Sequence, residues 1–234
     1  MESRNERVYI VTGGAGALAG SVAEVFRASG ARLALVDREG TPVAERAVVH
    51  DDLAVTADLT RGADAERMVA ATRSAFGRVD GLIHTAGAFA AAPVIDSAED
   101  LYDRMFDVNV RTLFHAVRAV LPTLIEQGDG FVAGISTNLV WSGGGGAGMA
   151  VYAAAKAALT FYLRSLEREV RASGVRVAIV YPLSPIDTPA NRRDMPGTDP
   201  AGWVDPAAIG EALLFAATRG ARGRIMELPI GVSR

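Results

Sequence analysis

The chain has 234 residues, half of them hydrophobic, with 24 basic and 27 acidic side chains, a net charge of −3 and no cysteine. That length and apolar share suit one large core, and so a single domain over 1–234. The charge balance leaves no basic face for nucleic acid, and a cysteine-free chain excludes disulfides, cysteine-based zinc sites and a catalytic thiol.

From the start of the chain, Met1–Arg7 is a polar leader without the apolar core of a secretory signal, and no apolar run approaches the ~20 residues that span a membrane. These features lead us to expect a cytoplasmic protein with no membrane partner. Apolar runs rich in Val, Ile and Leu then recur at Val8–Thr12, Ala31–Val36, Leu53–Ala57, Val79–Thr85, Gly130–Ile135 and Val175–Tyr181, with a seventh candidate at Arg224–Leu228. Runs apolar on both faces are strands covered on each side, so the pattern predicts an α/β fold: a doubly wound parallel sheet of about seven strands with helices on both faces. Among the intervening helices, Ala17–Ala28, Asp64–Phe76 and Val151–Ala172 are each followed closely by a glycine suited to a C-cap, at Gly30, Gly77 and Gly174. Six prolines between Pro182 and Pro206 forbid a long helix or a central strand, which predicts a loop or lid at about 183–204.

The first strand runs into Thr12-Gly13-Gly14-Ala15-Gly16-Ala17-Leu18-Ala19-Gly20, a small-residue turn that opens a helix. Without bulky side chains the backbone can approach a pyrophosphate, and the helix N-terminus offers free N–H groups and partial positive charge. Gly13, Ala15, Gly16, Ala17 and Leu18 are therefore candidate cofactor contacts. About 20 residues on, Asp37 closes the second strand, where a carboxylate accepts hydrogen bonds from adenosine ribose hydroxyls and repels a 2′-phosphate. NAD(H) is thus favoured over NADP(H), although the neighbouring Arg38 would attract such a phosphate. Asp58-Leu59 after the third strand could edge the adenine, and Ala86-Gly87 after the fourth could let the cofactor pass closely.

Tyr152 and Lys156 stand four apart, which places them on one face of a helix. An ammonium beside a phenol stabilises the phenolate and turns a group of pKa about 10 into a usable proton donor or acceptor. No metal constellation is expected, because His50, His84 and His115 are scattered. Ser136 lacks the elbow of a hydrolase nucleophile.

In their order and approximate spacing, Thr12-Gly13, Asp37, Asp58-Leu59, Ala86-Gly87, Asn109-Val110 and the Tyr152, Lys156 pair resemble the short-chain dehydrogenase/reductases over nearly the full length. The resemblance implies a Rossmann-type fold and a nicotinamide-dependent oxidoreductase acting on a small carbonyl, alcohol, or activated C=N or C=C group. Tyr152 is then the general acid/base, Lys156 lowers its pKa and holds ribose, and Asn109 supports a proton-relay water. The resemblance also implies a homodimer or homotetramer, with Arg104–Glu126 and Val151–Ala172 as contact surfaces. The loop Gly13 to Leu18 and the stretch Ile186-Asp187-Thr188-Pro189-Ala190-Asn191-Arg192, followed by Met195-Pro196 and Trp203, look like dihydropteridine reductase-like members. That likeness implies a lid closing over the cofactor, with Thr188 near the carboxamide and Pro182 in the cofactor site.

The chain also departs from the pattern. Ala19 replaces a glycine, and its methyl is expected to crowd the pyrophosphate. Thr85 stands for a common asparagine and Leu183 for a common glycine. The substrate-orienting serine, expected 13 residues before Tyr152, is Leu139; Thr137, its neighbour Ser136, or Ser142 is left to supply the hydroxyl. Ala19 and the displaced hydroxyl favour an idle dinucleotide-binding scaffold or sensor, while Asn109, Tyr152 and Lys156 oppose it. A cofactor-retaining isomerase or dehydratase is a third reading.

Overall fold

The computed structural model describes residues 6–232, so the first five residues of the Met1–Arg7 leader lie outside the described residues. Seven strands form one parallel sheet in the order β3-β2-β1-β4-β5-β6-β7. They are β1 (Val8–Thr12), β2 (Arg32–Asp37), β3 (Leu53–Thr56), β4 (Gly81–His84), β5 (Gly130–Ile135), β6 (Val175–Pro182) and β7 (Glu227–Ile230). The first and fifth coincide with the apolar runs. The seventh begins three residues later than Arg224, after a 3₁₀ turn at Ala221–Gly223.

Alternate residues of β1 feed two cores. Ile10 packs on one face of the sheet with Met68, Leu113, Val117, Leu159 and Leu163. Tyr9 and Val11 pack on the other with Val22, Phe26, Val43, Ile209 and Leu213. The first face is thereby covered by α3 (Gly62–Phe76), α5 (Thr112–Gln127) and α7 (Ala150–Val170). The second is covered by α1 (Ala17–Ala28), α2 (Val43–Val48) and α9 (Pro206–Ala217). In α1 the buried residues Ala19, Val22, Ala23 and Phe26 follow helical spacing, and Phe26 meets Tyr9 edge-on at 4.8 Å between ring centroids.

The stretch predicted as a helix over Arg104–Glu126 is α4 (Glu99–Phe106), one π-helical turn (Asp107–Arg111) and α5 in direct succession. Gly77 and Gly128 end α3 and α5 in the left-handed conformation, with φ of 77° and 68°. In the proline-rich segment the short helix α8 (Pro189–Asp194) and a 3₁₀ turn (Pro200–Gly202) each start on a proline, where its missing N–H costs nothing. A single parallel bridge, Ile186 to Val204, closes that segment on itself. The short helix α6 (Asn138–Trp141) follows β5. Among the described residues no helix is long and apolar enough to cross a membrane.

Candidate active site

The strand order reverses between β1 and β4, and open parallel sheets take their ligands at that switch, beyond the carboxyl ends of the strands. There Gly13 has φ 68°, and a β-carbon on it would come within 2.9 Å of the Ala86 nitrogen. Only glycine satisfies both conditions. The seam is sewn by hydroxyls: Thr85 donates to the Thr12 carbonyl at 2.6 Å, and the Ala86 N–H reaches Thr12 Oγ1 at 3.3 Å.

Gly16 caps α1 without a side-chain hydrogen bond, so the first N–H groups of that helix carry no capping side chain. Exposed Gly16 and Ala17 and half-buried Leu18 surround them. Asp37 accepts from the Ala15 N–H at 3.0 Å and from the Arg38 N–H at 2.8 Å, which ties the loop to the end of β2. Asp58 accepts from both the N–H and the hydroxyl of Thr60, while Leu59 turns into the core. An uncapped helix start bordered by small residues, with a carboxylate at the next strand end, fits the pyrophosphate and ribose of a dinucleotide.

Across the switch, a β-carbon on Gly87 would lie 3.0 Å from Asn109 Oδ1 and 3.2 Å from Lys156 Nζ, so Gly87 is where those two side chains converge. Asn109 sits fully buried on the π-helical turn, and its amide is fixed in both senses. Nδ2 donates to the carbonyls of Ala88 and Met105, each at 3.0 Å, and Oδ1 accepts from the Ala88 N–H at 3.2 Å. Lys156 donates to the Ile135 carbonyl at 2.9 Å, and burial lowers its pKa to about 8. Its ammonium lies 6.0 Å from the Tyr152 ring centroid.

Burial pushes the Tyr152 phenol up, and a hydrogen bond with Thr137 opposes that rise. Lys156 Nζ stays with the Ile135 carbonyl, and the hydroxyl bonded to the phenol is that of Thr137. Of the three candidate hydroxyls, Thr137 is the one beside Tyr152. Ser136 is buried against Thr160 at 2.8 Å, and Ser142 points to the Asn138 carbonyl at 2.9 Å. Thr137 also caps α6, accepting weakly from the Leu139 N–H.

These groups open on a cleft of about 370 Å³ whose walls include Phe89, Leu139, Met149, Leu183, Ile186 and Met195. Ser136, Thr137, Tyr152 and Pro182 also line it, and Phe89 meets the Tyr152 ring edge-on at 4.9 Å. A larger apolar hollow of about 630 Å³ lies elsewhere, on the faces of α5 and α7, and touches none of these groups.

The family model described as short chain dehydrogenase matches residues 7–197. The chain belongs to the short-chain dehydrogenase family. It is therefore an oxidoreductase that uses a nicotinamide dinucleotide. Uncharacterized oxidoreductases of Staphylococcus haemolyticus and Staphylococcus epidermidis are 28% and 29% identical to it, each alignment covering 98% of this chain and 99% of the relative. In fold it is similar to a 3-ketoacyl-(acyl-carrier-protein) reductase from Brucella melitensis, solved with NADH, at a TM-score of 0.84 and 23% identity over 96% of each chain. The solved structure of gox2181 is also similar, at a TM-score of 0.84 and 24% identity over 96% of this chain and 94% of that one.

Against the short-chain dehydrogenase pattern, Ala19 proves harmless to the loop: it is buried in the core under α1, so its methyl faces away from the helix start. Leu183 leans on Gly231 and forms part of the cleft wall. Thr188 caps α8 by accepting the Asn191 N–H at 3.2 Å, and it is Asn191, from the same motif, that lines the cleft. Trp141 stacks obliquely on Tyr181, whereas Met149 lines the cleft.

Sequence reasoning passed over His84. Thr112 donates to the Val108 carbonyl, so His84 Nε2–H donates to Thr112 at 3.2 Å. Its Nδ1 then accepts from Thr12 at 2.9 Å. Burial drives its pKa down to about 3, which keeps the ring neutral as this chain of bonds requires. The imidazole thus couples the glycine loop to the helix that carries Asn109. Among the described residues no group of three or more histidine or acidic side chains could hold a metal.

Proposed function

We propose that the protein is a single catalytic domain with a lid over about 183–204, which transfers a hydride between NAD(H) and a carbonyl, alcohol, or activated C=N or C=C group of a small molecule. The observation that carries this reading is the hydrogen-bonded pair Tyr152 and Thr137 in the wall of one cleft, with the buried Lys156 and Asn109 converging at Gly87 and an uncapped helix start that fits a pyrophosphate. Gly13, Ala15, Gly16, Ala17 and Leu18 hold the pyrophosphate side. Asp37 accepts the ribose hydroxyls, Asp58-Leu59 border the adenine, and Ala86-Gly87, Pro182 and Thr188 complete the cofactor site. The nicotinamide, when bound, supplies or takes the hydride.

Tyr152 gives its phenolic proton to the substrate oxygen or nitrogen in reduction and removes it in oxidation. Thr137 donates to the same acceptor and holds it against the phenol, in the role first open to Thr137, Ser136 and Ser142. Lys156, charged below pH about 8, supports the phenolate electrostatically when the proton has left and hydrogen-bonds the ribose. Asn109 holds the π-helical turn and the water through which a proton is replaced. The motif at Ile186 to Arg192 supports a dihydropteridine reductase-like preference for an activated, conjugated acceptor. The apolar hollow on α5 and α7, lined by Phe114, Leu121 and Tyr162, supports a homodimer or homotetramer. Cytoplasmic residence belongs to the same reading.

Titration with NADH, followed by turnover of carbonyl and iminium substrates, tests the reading. Tyr152→Phe should bind NADH as the parent does and lose about 10²-fold or more in turnover. Near-normal turnover in that variant would remove Tyr152 from the mechanism, and failure of the parent to bind either cofactor would return the idle scaffold.

A further inference from the structure

The cleft beside Tyr152 has walls without charge. Asp, Glu, Lys and Arg make up 22% of the chain, yet among the described residues none of them lines this space of about 370 Å³. Apart from the Tyr152 phenol, its polar side chains are the hydroxyls of Ser136, Thr137 and Ser184 and the amides of Asn138 and Asn191.

The lid that borders the cleft spends its charges on itself. Between 187 and 194 it carries two acids and two arginines. Arg192 grips Asp187 with both arms, Nη2 donating to Oδ2 at 2.7 Å and Nε to Oδ1. Arg193 lies 3.7 Å from Asp194, and both of those side chains are largely exposed. The nearest cation behind Tyr152, Lys156, is buried and bound to the Ile135 carbonyl. What the cleft offers instead is apolar surface. Phe89 is 61% exposed at its edge, a state that an apolar ligand would relieve, and Leu139, Met149 and Met195 continue the wall.

We infer that the substrate is an uncharged, largely apolar carbonyl or imine compound whose other polar groups are neutral, and that ionised acceptors such as oxo acids and sugar phosphates are turned away at the cleft. The inference rests on the hydride-transfer reading above and narrows its substrate class. An ionised group that enters this cleft gives up its hydration and meets no counter-charge, because the lid charges are already paired and Lys156 is committed to the ribose in that reading. An amide or hydroxyl on the substrate exchanges water for the neutral donors and acceptors of the wall and so enters at little cost.

Steady-state reduction of matched pairs by the purified full chain with NADH, near neutral pH where the acids are ionised, tests this. The pairs are para-acetylbenzamide with para-acetylbenzoate, and levulinamide with levulinate. Each amide should exceed its carboxylate in kcat/KM by about 100-fold or more. Met195→Lys places an ammonium on the lid side of the wall and should raise the carboxylate-to-amide ratio by about tenfold or more, whereas Met195→Gln, of similar length and uncharged, should leave that ratio within about threefold of wild type. A carboxylate reduced as well as its amide would overturn the inference and leave hydride transfer standing, and so would a ratio that Met195→Lys does not move. A chain that binds NADH and reduces none of these compounds would overturn the substrate class. Failure to bind either NADH or NADPH would overturn the dinucleotide reading itself, a result separate from the others.

Discussion

Around Gly13 and Gly14 the strand ends meet as backbone, with β-carbon positions within 3 Å of neighbouring main-chain atoms, and the polar groups there are fixed by a hydrogen bond that Thr85 donates and by bonds that Thr12 and Asp37 accept. Across from it, the far wall is made of side-chain ends: Leu139 on α6, and Met149, Leu183 and Met195 on the segments that follow the glycines at 143–146 and carry the prolines from 182 on. Backbone at van der Waals contact tolerates no substitution and, in the function proposed, reads a chemical constant, the dinucleotide. Flexible apolar side chains on loops can be exchanged one at a time and set a variable, the substrate.

The largest effect should come from breaking the backbone side. Gly13→Ala puts a β-carbon against Ala86 in a left-handed conformation that costs an L-residue about 1–2 kcal/mol before the clash is counted. We expect a melting temperature lower by at least about 4 °C, together with loss of measurable NADH binding. A variant that binds NADH like the parent would show that the close approach is not required.

Next in size is the charge at the end of β2. Asp37→Asn keeps an oxygen for the Ala15 N–H while removing the negative charge, and should move the NADH to NADPH preference by about tenfold toward NADPH. An unchanged ratio of dissociation constants would remove the reason for favouring NAD(H).

A smaller effect, graded with pH, is expected from Lys156. Its pKa in the folded chain, about 8, is lower than the usual lysine value, so the ammonium is complete below that pH and lost as pH rises through it. The rate of substrate reduction should therefore fall on the alkaline side with a midpoint near 8, and Lys156→Met should lose that limb. A flat profile between pH 7 and 9.5 in the parent would show that the charge is not used.

The smallest effect belongs to the side-chain wall. Met195→Ala should change KM by a few-fold, in a direction set by substrate size, and leave the NADH dissociation constant unaltered. A matched change in cofactor affinity would mean that the two walls are not separable.

The same contrast explains what could be read from the sequence. The glycine loop, Asp37 and the Tyr152, Lys156 spacing were legible because each is local: a turn, a strand end and two positions on one helix. The sheet was legible from runs apolar on both faces. The choice among Thr137, Ser136 and Ser142 was not, because it depends on how the chain from Asn138 to Met149 folds, and no spacing rule covers three glycines in positive φ between Gly143 and Gly148. Ala19 misled because a position in a motif does not state which way its methyl points. His84 carried no signal, since its partners Thr12 and Thr112 are 72 and 28 residues away in the chain.

The strand order has a consequence for how the protein is made. β1 is synthesised well before β4, yet it lies inside the sheet, where β4 pairs Tyr9 with Gly81 and Thr12 with His84. Until β4 has left the ribosome, one edge of β1 is unpaired and the loop after it lacks the Ala86 backbone on which Gly13 rests. In that interval the nascent chain depends on the β1–β2 pairing and on the packing of α1 for protection of an apolar strand edge.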